Sequence, residues 1–233
     1  MIVSIHQPNY LPWLGFFNKI KQSDLFILFD DVQFPRGKKH FGHRNRIKTN
    51  FNASKWLTVP IQNKSDMVSF NDTDINYSLD WNKEHLRLIE IFYKEAPHFN
   101  KYFTDISELL LKEYVNLTEL SKKLIVYFMK ELKINTEVKL SSDFGGEGLA
   151  GSDKIFNILE KVRSYAHTVE YISGSGEGSR RYIEEGEFKK RRINLHWQEY
   201  EHPVYNQLFN GFMPYLSVID LLFNEGKESY KLI

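Results

Sequence analysis

MIVSIHQPNYLPWLGFFNKI (residues 1–20), followed closely by DLFILFDDVQF (residues 24–34), decides how this chain is read. Residues 2–6 are too short and too continuously apolar for a helix and predict a buried strand. From Leu11 to about Gln22, Leu14, Phe17 and Lys21 follow helical spacing, and Pro12 suits a first helical turn, where its missing N–H costs nothing. Residues 24–34 form a second β-rich apolar run that closes on Asp30 and Asp31. Two buried strands joined by a helix make a βαβ unit, which favours parallel pairing with helices on the sheet faces.

Working outward, KWLTVPI (55–61), HTVEYISG (167–174) and INLHWQEY (193–200) look like further core strands, with TEVKLSS (136–142) a weaker candidate. Helices are expected over 81–93, after Asn116, and over 151–165, the last capped by Ser152 or Asp153. The spacing of Asn116 to Glu119 resembles a capping box, and Leu117, Leu120, Leu124, Phe128 and Leu132 make a core stripe through Lys133. A C-terminal helix carries Val218, Leu221 and Leu222 inward and ends at Gly226. The expected architecture is an α/β fold, a mostly parallel sheet flanked by helices. It is Rossmann-like or a three-layer nucleotidyltransferase-like variant, in a single domain over 1–233 with a helical insertion at about 80–135.

Each apolar run stops at polar residues: His6-Gln7, Asp30-Asp31, Ser141-Ser142-Asp143, Ser173-Gly174-Ser175 and Gln198-Glu199. In a parallel sheet these groups gather at one edge, and open α/β sheets bind ligands outside the carboxyl ends of their strands.

Composition narrows the function classes. Thirty-one Lys and Arg against 30 Asp and Glu give a net charge of +1, unlike the basic excess of a general nucleic-acid binder. The absence of cysteine excludes disulfides and thiolate metal sites. The start has neither a basic n-region nor a long apolar h-region, and no run approaches the roughly 18–20 apolar residues of a membrane span. A cytoplasmic protein is expected.

Three segments carry possible chemistry. His6, Asp30 and Asp31 could form a metal or acid–base cluster, but adjacent residues of an extended chain point to opposite faces, so at most one aspartate is expected to face a given site; a solvated turn or helix-cap role for one aspartate is the favoured alternative. FPRGKKHFGHRNRIK (34–48) packs six Lys or Arg and two His into a glycine-containing loop, which suits nucleotide phosphates; a local nucleic-acid patch or a solvated loop are the alternatives. YISGSGEGSRRYI (171–183) places Ser173, Gly174 and Ser175 directly after a strand and before an expected helix, a layout suited to anions. It matches neither a P-loop nor the first-βα dinucleotide fingerprint, and SGSGE is no nucleophile elbow.

IHQPNYLPWLGFFNKI, FDDVQF followed by RNRIK, WLTVPI, YISGSG, and YNQ with SVIDLLFNEG together resemble the WbqC-like family, in the family's order from residue 5 to 226. After SG this chain runs SGEGSRRY, longer and more basic than the short segment the resemblance implies. The resemblance implies a place among surface-polysaccharide (O-antigen) functions. It also implies transfer of an amino-acid-type acyl group, such as glycyl, to a nucleotide-linked amino sugar. HQPNYLPWLGFF has the layout of an HxGH-type nucleotidyl-transfer entry, with Gly15 opening a helix and Phe16 where a second histidine is expected. Enzymes on that scaffold activate carboxylates as acyl-adenylates, so ATP with Mg is the cofactor this implies, and no protein ligand set for a metal is assigned.

On this reading His6 stabilises developing charge on a phosphate or acyl oxygen. Asp30 or Asp31 positions or deprotonates the attacking amine, or holds a nucleotide-bound metal. Arg44, Arg46 and Lys48, with Ser173, Gly174 and Ser175, bind phosphates. Gln7, Asn9, Tyr10 and Trp13 shape the acceptor pocket, Tyr and Trp offering apolar faces to a ring. The expected partners are the nucleotide-linked amino sugar and a small acyl donor, with no nucleic acid and no membrane span. A non-catalytic sugar-nucleotide binding module is the alternative.

Overall fold

The computed structural model describes residues 1–35, 40–50, 53–62 and 68–233. The elements run β1 (Ile2–His6), α1 (Leu14–Lys21), β2 (Leu25–Leu28), β3 (Arg44–Lys48), β4 (Ser54–Thr58), α2 (Trp81–Tyr93), α3 (Phe99–Leu111) and α4 (Leu117–Glu131). They continue with β5 (Glu137–Leu140), α5 (Gly151–Ala166), β6 (Glu170–Ser173), α6 (Glu177–Arg180), α7 (Glu185–Lys190), β7 (Asn194–Trp197) and α8 (Val218–Glu225). By their contacts they fall into two compact units.

The first unit comprises Met1–Gln7, Asn18–Val32 and Asn135–Glu201. It holds a five-stranded sheet in the order β5-β2-β1-β6-β7, every pairing parallel. The α/β, Rossmann-like expectation therefore holds, and the β1-α1-β2 start is the βαβ unit that residues 1–34 predict. Alternation along the strands sorts two faces. Val3, Ile5, Leu25, Ile27 and Tyr171 pack against Ile155, Ile158, Leu159 and Val162 of α5 and Phe188 of α7. Ser4 turns the other way, where its hydroxyl meets that of Ser23 at 2.6 Å. β5, from the weakest strand candidate, forms one edge. An edge strand tolerates Glu137 and Lys139, which is why its pattern is faint.

The second unit comprises Pro8–Phe17, Gln33–Ile134 and His202–Ile233. α2, α3, α4 and α8 belong to it, and Phe17 packs edge-on to Phe128, ring centroids 6.0 Å apart. α4 starts where expected: the Asn116 side chain accepts from the Glu119 N–H, and Glu119 reaches back to the N–H of Val115. α5 begins at Gly151 with Ala150 at the N-cap, two residues before Ser152, and with no side-chain cap.

Two expectations are corrected here. KWLTVPI does not join the central sheet: β4 pairs antiparallel with β3 in a two-stranded ladder, and Trp56 is exposed. RNRIK is that partner strand rather than a loop, because Asn45 and Ile47 alternate inward with no exposure. Residues 36–39, the remaining cations of the basic segment, lie outside the described residues.

Candidate functional site

Within the first unit the parallel register brings the strand ends level. His6 pairs with Leu28, Leu28 with Leu140, and Ser173 with Trp197. His6-Gln7, Asp30-Asp31, Ser141-Ser142, Ser173-Gly174-Ser175 and Gln198 thus follow one another along a single carboxyl edge. The chain builds outward from β1 to β2 and β5 on one side, and to β6 and β7 on the other. The reversal falls between β1 and β6, which is where sheets of this kind open a binding crevice.

The aspartates are committed to structure. Asp30 is buried; its carboxylate accepts from the Ser141 hydroxyl at 2.9 Å, the Ser142 N–H at 3.0 Å and the Ser142 hydroxyl at 2.8 Å. Its own N–H donates to Ser141 Oγ at 3.0 Å, so the ends of β2 and β5 are stapled together. Asp31 reaches the same serine at 2.5 Å and pairs with Lys154 of α5 at 2.6 Å. Both carboxylates therefore meet Ser141: the segment is a turn, and the opposite-faces expectation for an extended chain does not apply. Lys154, 2% exposed, also donates to the carbonyl of Gly145 at 2.7 Å.

His6 is half-buried, and its Nδ1 lies 2.9 Å from the Gln7 carbonyl. A carbonyl only accepts, so Nδ1 carries the proton and Nε2 is the acceptor nitrogen. Burial, and next the charge of Lys19, lower its pKa to about 4, so the ring is neutral at pH 7. Lys19, on the buried face of α1, was not singled out from the sequence. It donates to the Ile5 carbonyl at 2.8 Å, and burial lowers its pKa to about 7. Its spacing from Phe16 and Ser23 (i, i+3, i+7) places it on the inward stripe and could have flagged it.

Across the reversal, Ser173 belongs to the opposite face, since it shares the parity of Tyr171. His6 and Ser173 therefore share an edge but not a face, and Gly174-Ser175 are what turn out of the sheet. α6 is a single four-residue turn within the loop, and the helix expected after Arg181 is α7, from Glu185. Nothing lies within 4 Å of a Cβ built on Gly176 or Gly178, so the loop leaves open space. Arg180 stacks 4.4 Å over Trp197, closing the β7 side, and Gln198 donates to the Asn18 side chain at 3.0 Å.

The other sequence-derived residues lie in the second unit. Tyr10 is fully buried; its hydroxyl meets His85 Nδ1 at 2.9 Å and its ring packs against Trp81. Asn9 is buried too. Trp13 lies edge-on to Tyr215, and its indole covers Gly15, where an added Cβ would sit 2.2 Å from the ring. Arg46 donates to the carbonyls of Tyr215 and Pro214, both at 3.3 Å. Lys48, 1% exposed, donates to the carbonyls of Phe209 and Gly211. Arg44 stacks 4.2 Å over Trp56. Arg46 and Lys48 thus bind loop carbonyls. They read as phosphate ligands from composition because charge alone does not disclose an internal acceptor.

Sequence reasoning also passed over Asp220, 0% exposed in α8. It accepts from Tyr93 at 2.8 Å, Tyr205 at 2.7 Å and Gln207 at 2.9 Å. Burial pushes its carboxyl up, while those bonds and Lys48 pull it back. The signal was present, since YNQ and SVID are both motif segments.

Among the described residues no helix is long and apolar enough to cross a membrane, and no three His, Asp or Glu gather as a metal site. No solved structure matches the chain. An uncharacterized protein of Mycobacterium tuberculosis is 34% identical over 230 residues, covering 97% of this chain and 95% of that protein. The family model described as the WbqC-like protein family matches residues 7–232, which spans every segment placed above from Gln7 to the end of α8, and the chain belongs to that family.

Proposed function

We propose that the protein is a cytoplasmic transferase of surface-polysaccharide biosynthesis that binds a nucleotide-linked amino sugar at the carboxyl edge between β1 and β6 and joins an amino-acid-type acyl group to its amine. The observation that carries this reading is the strand order reversing between β1 and β6, with His6-Gln7 ending one strand and Gly174-Ser175 leaving the other. The open space at Gly176 and Gly178 lets a ligand approach the backbone closely.

Amide formation needs an amine held with its lone pair toward the acyl carbon. A neutral His6 suits this: Nε2 accepts an N–H of the amine and orients it, and takes up its proton as the C–N bond forms and the acyl leaving group departs. Asp30 and Asp31 act behind the edge by fixing the ends of β2 and β5. Because serines and Lys154 occupy their oxygens, they do not fit a resident metal, and no step runs through one. ATP would supply the activation energy for a free carboxylate donor.

Engagement of both aspartates also favours a second reading, a sugar-nucleotide binding module without turnover. Incubation of the protein with ATP, glycine and a uridine-diphosphate-linked amino sugar, followed by mass spectrometry, separates the two. A product heavier by one glycyl group supports the transferase. Binding without product supports the module, and neither binding nor product overturns both.

A further inference from the structure

Lys19 is 2% exposed, yet among the described residues its ammonium, with three donors, makes one hydrogen bond, to the Ile5 carbonyl. Buried charges in folded proteins are paired, and the other buried lysines among the described residues follow that rule. Lys154 has Asp31 and two carbonyls; Lys48 has two carbonyls and the nearby charge of Asp220. Among the described residues no carboxylate is paired with Lys19, and burial lowers its pKa to about 7.

Its position is informative. The carbonyl it holds belongs to the residue before His6, at the carboxyl end of β1 beside the β1/β6 reversal. It lies on the sheet face of Ser4 and His6, since Ser4 bonds Ser23, which in turn donates to the Lys19 carbonyl at 2.9 Å. His6 is the titratable neighbour whose pKa feels the Lys19 charge.

We propose that the Lys19 ammonium, next to His6 but without a donor from it, forms an oxyanion subsite that takes a phosphate group of the bound substrate. The identity of that anion as a substrate phosphate rests on the functional reading above; the subsite itself rests on the buried, under-bonded ammonium. An incoming phosphate supplies the missing counter-charge and two further acceptors. The fold thus keeps a desolvated cation at its binding edge, at a cost in stability.

Sulfate, whose charge is fixed across neutral pH, is the probe. Calorimetric titration of the full chain is expected to show saturable sulfate binding that weakens at least tenfold in Lys19→Met, while that variant's Tm rises because a buried charge is gone. Lys19→Gln keeps a donor for the Ile5 carbonyl without the charge, and is expected to lose sulfate equally; it serves if Lys19→Met fails to fold. In the wild-type chain affinity falls between pH 6 and 8.5 as Lys19 deprotonates, His6 being neutral throughout. An adventitious ion only, bound equally well by both variants, overturns the proposal, as does the absence of sulfate binding or a lowered Tm with unchanged binding. If nucleotides bind and neither variant affects them, the subsite fails and the functional reading stands. If sulfate binding depends on Lys19 but no nucleotide or nucleotide sugar binds, the reverse holds.

Discussion

The Asn45 side-chain amide donates to the Leu11 carbonyl at 2.6 Å, fixing the turn of the first motif to β3. Leu11 has φ +45°, a left-handed conformation that non-glycine residues rarely adopt and that costs roughly 1–2 kcal/mol. Asn45 also accepts from the Arg46 N–H at 2.8 Å and is fully buried, so the strained turn is held from within the core. HQPNYLPWLG and RNRIK are thus two halves of one hydrogen-bonded device. Asn45→Ala strands a buried carbonyl and is expected to destabilise the protein by about 2 kcal/mol, read as a lowered urea midpoint at constant m. An unchanged midpoint would show that Leu11 holds its conformation without Asn45.

Trp13 and Gly15 make a second dependency. A Cβ on Gly15 would meet the indole at 2.2 Å, well inside contact distance, so the indole itself requires the glycine. Gly15→Ala is expected to cost about 2–3 kcal/mol through overpacking. Trp13→Ala removes the clash, so the double variant should be markedly less destabilised than the sum of the two. Additive effects in thermal unfolding would contradict this.

The Asp31–Lys154 pair is asymmetric, Lys154 being 2% and Asp31 20% exposed. Asp31→Asn leaves the more buried charge without its partner and is expected to cost about 3 kcal/mol. Lys154→Met leaves a carboxylate with access to water and should cost less. The double variant should lie closer to wild type than Asp31→Asn, measured by denaturant unfolding in a double-mutant cycle.

His85 lies 2.9 Å from the Tyr10 hydroxyl and is 5% exposed; burial lowers its pKa to about 4. The unfolded chain then takes up a proton near pH 6.5 while the folded chain does not. The stability this group contributes is complete above that pH and is lost as pH falls through about 4, an effect of at most about 3 kcal/mol. Unfolding measured from pH 7.5 to 4.5 should show the decline, and His85→Gln should flatten it. An unaltered slope would assign the loss to other groups, of which His6 is one.

Apolar runs made the central sheet legible, because strands buried on both faces leave little room for polar residues. The faint edge strand β5, and β3 with its charged alternate positions, were harder to read for the same reason. At the site, the polar strand ends were visible in the sequence, since a parallel sheet collects them at one edge. Which of them are committed inward was not. Asp30, Asp31, Arg46 and Lys48 look like ligands until their acceptors and donors, over 100 residues away in sequence, are in place. Lys19 was hidden by the opposite error, a cation on an apolar helix face read as part of the helix.

Calorimetric titration of the folded protein with ATP and with a uridine-diphosphate-linked amino sugar tests most directly whether the β1/β6 edge is a binding site. Saturable single-site binding is expected, weakened about tenfold in His6→Ala, roughly 1.4 kcal/mol, with little change in Tm. Absence of binding by any nucleotide, or binding that His6→Ala leaves untouched, would contradict it.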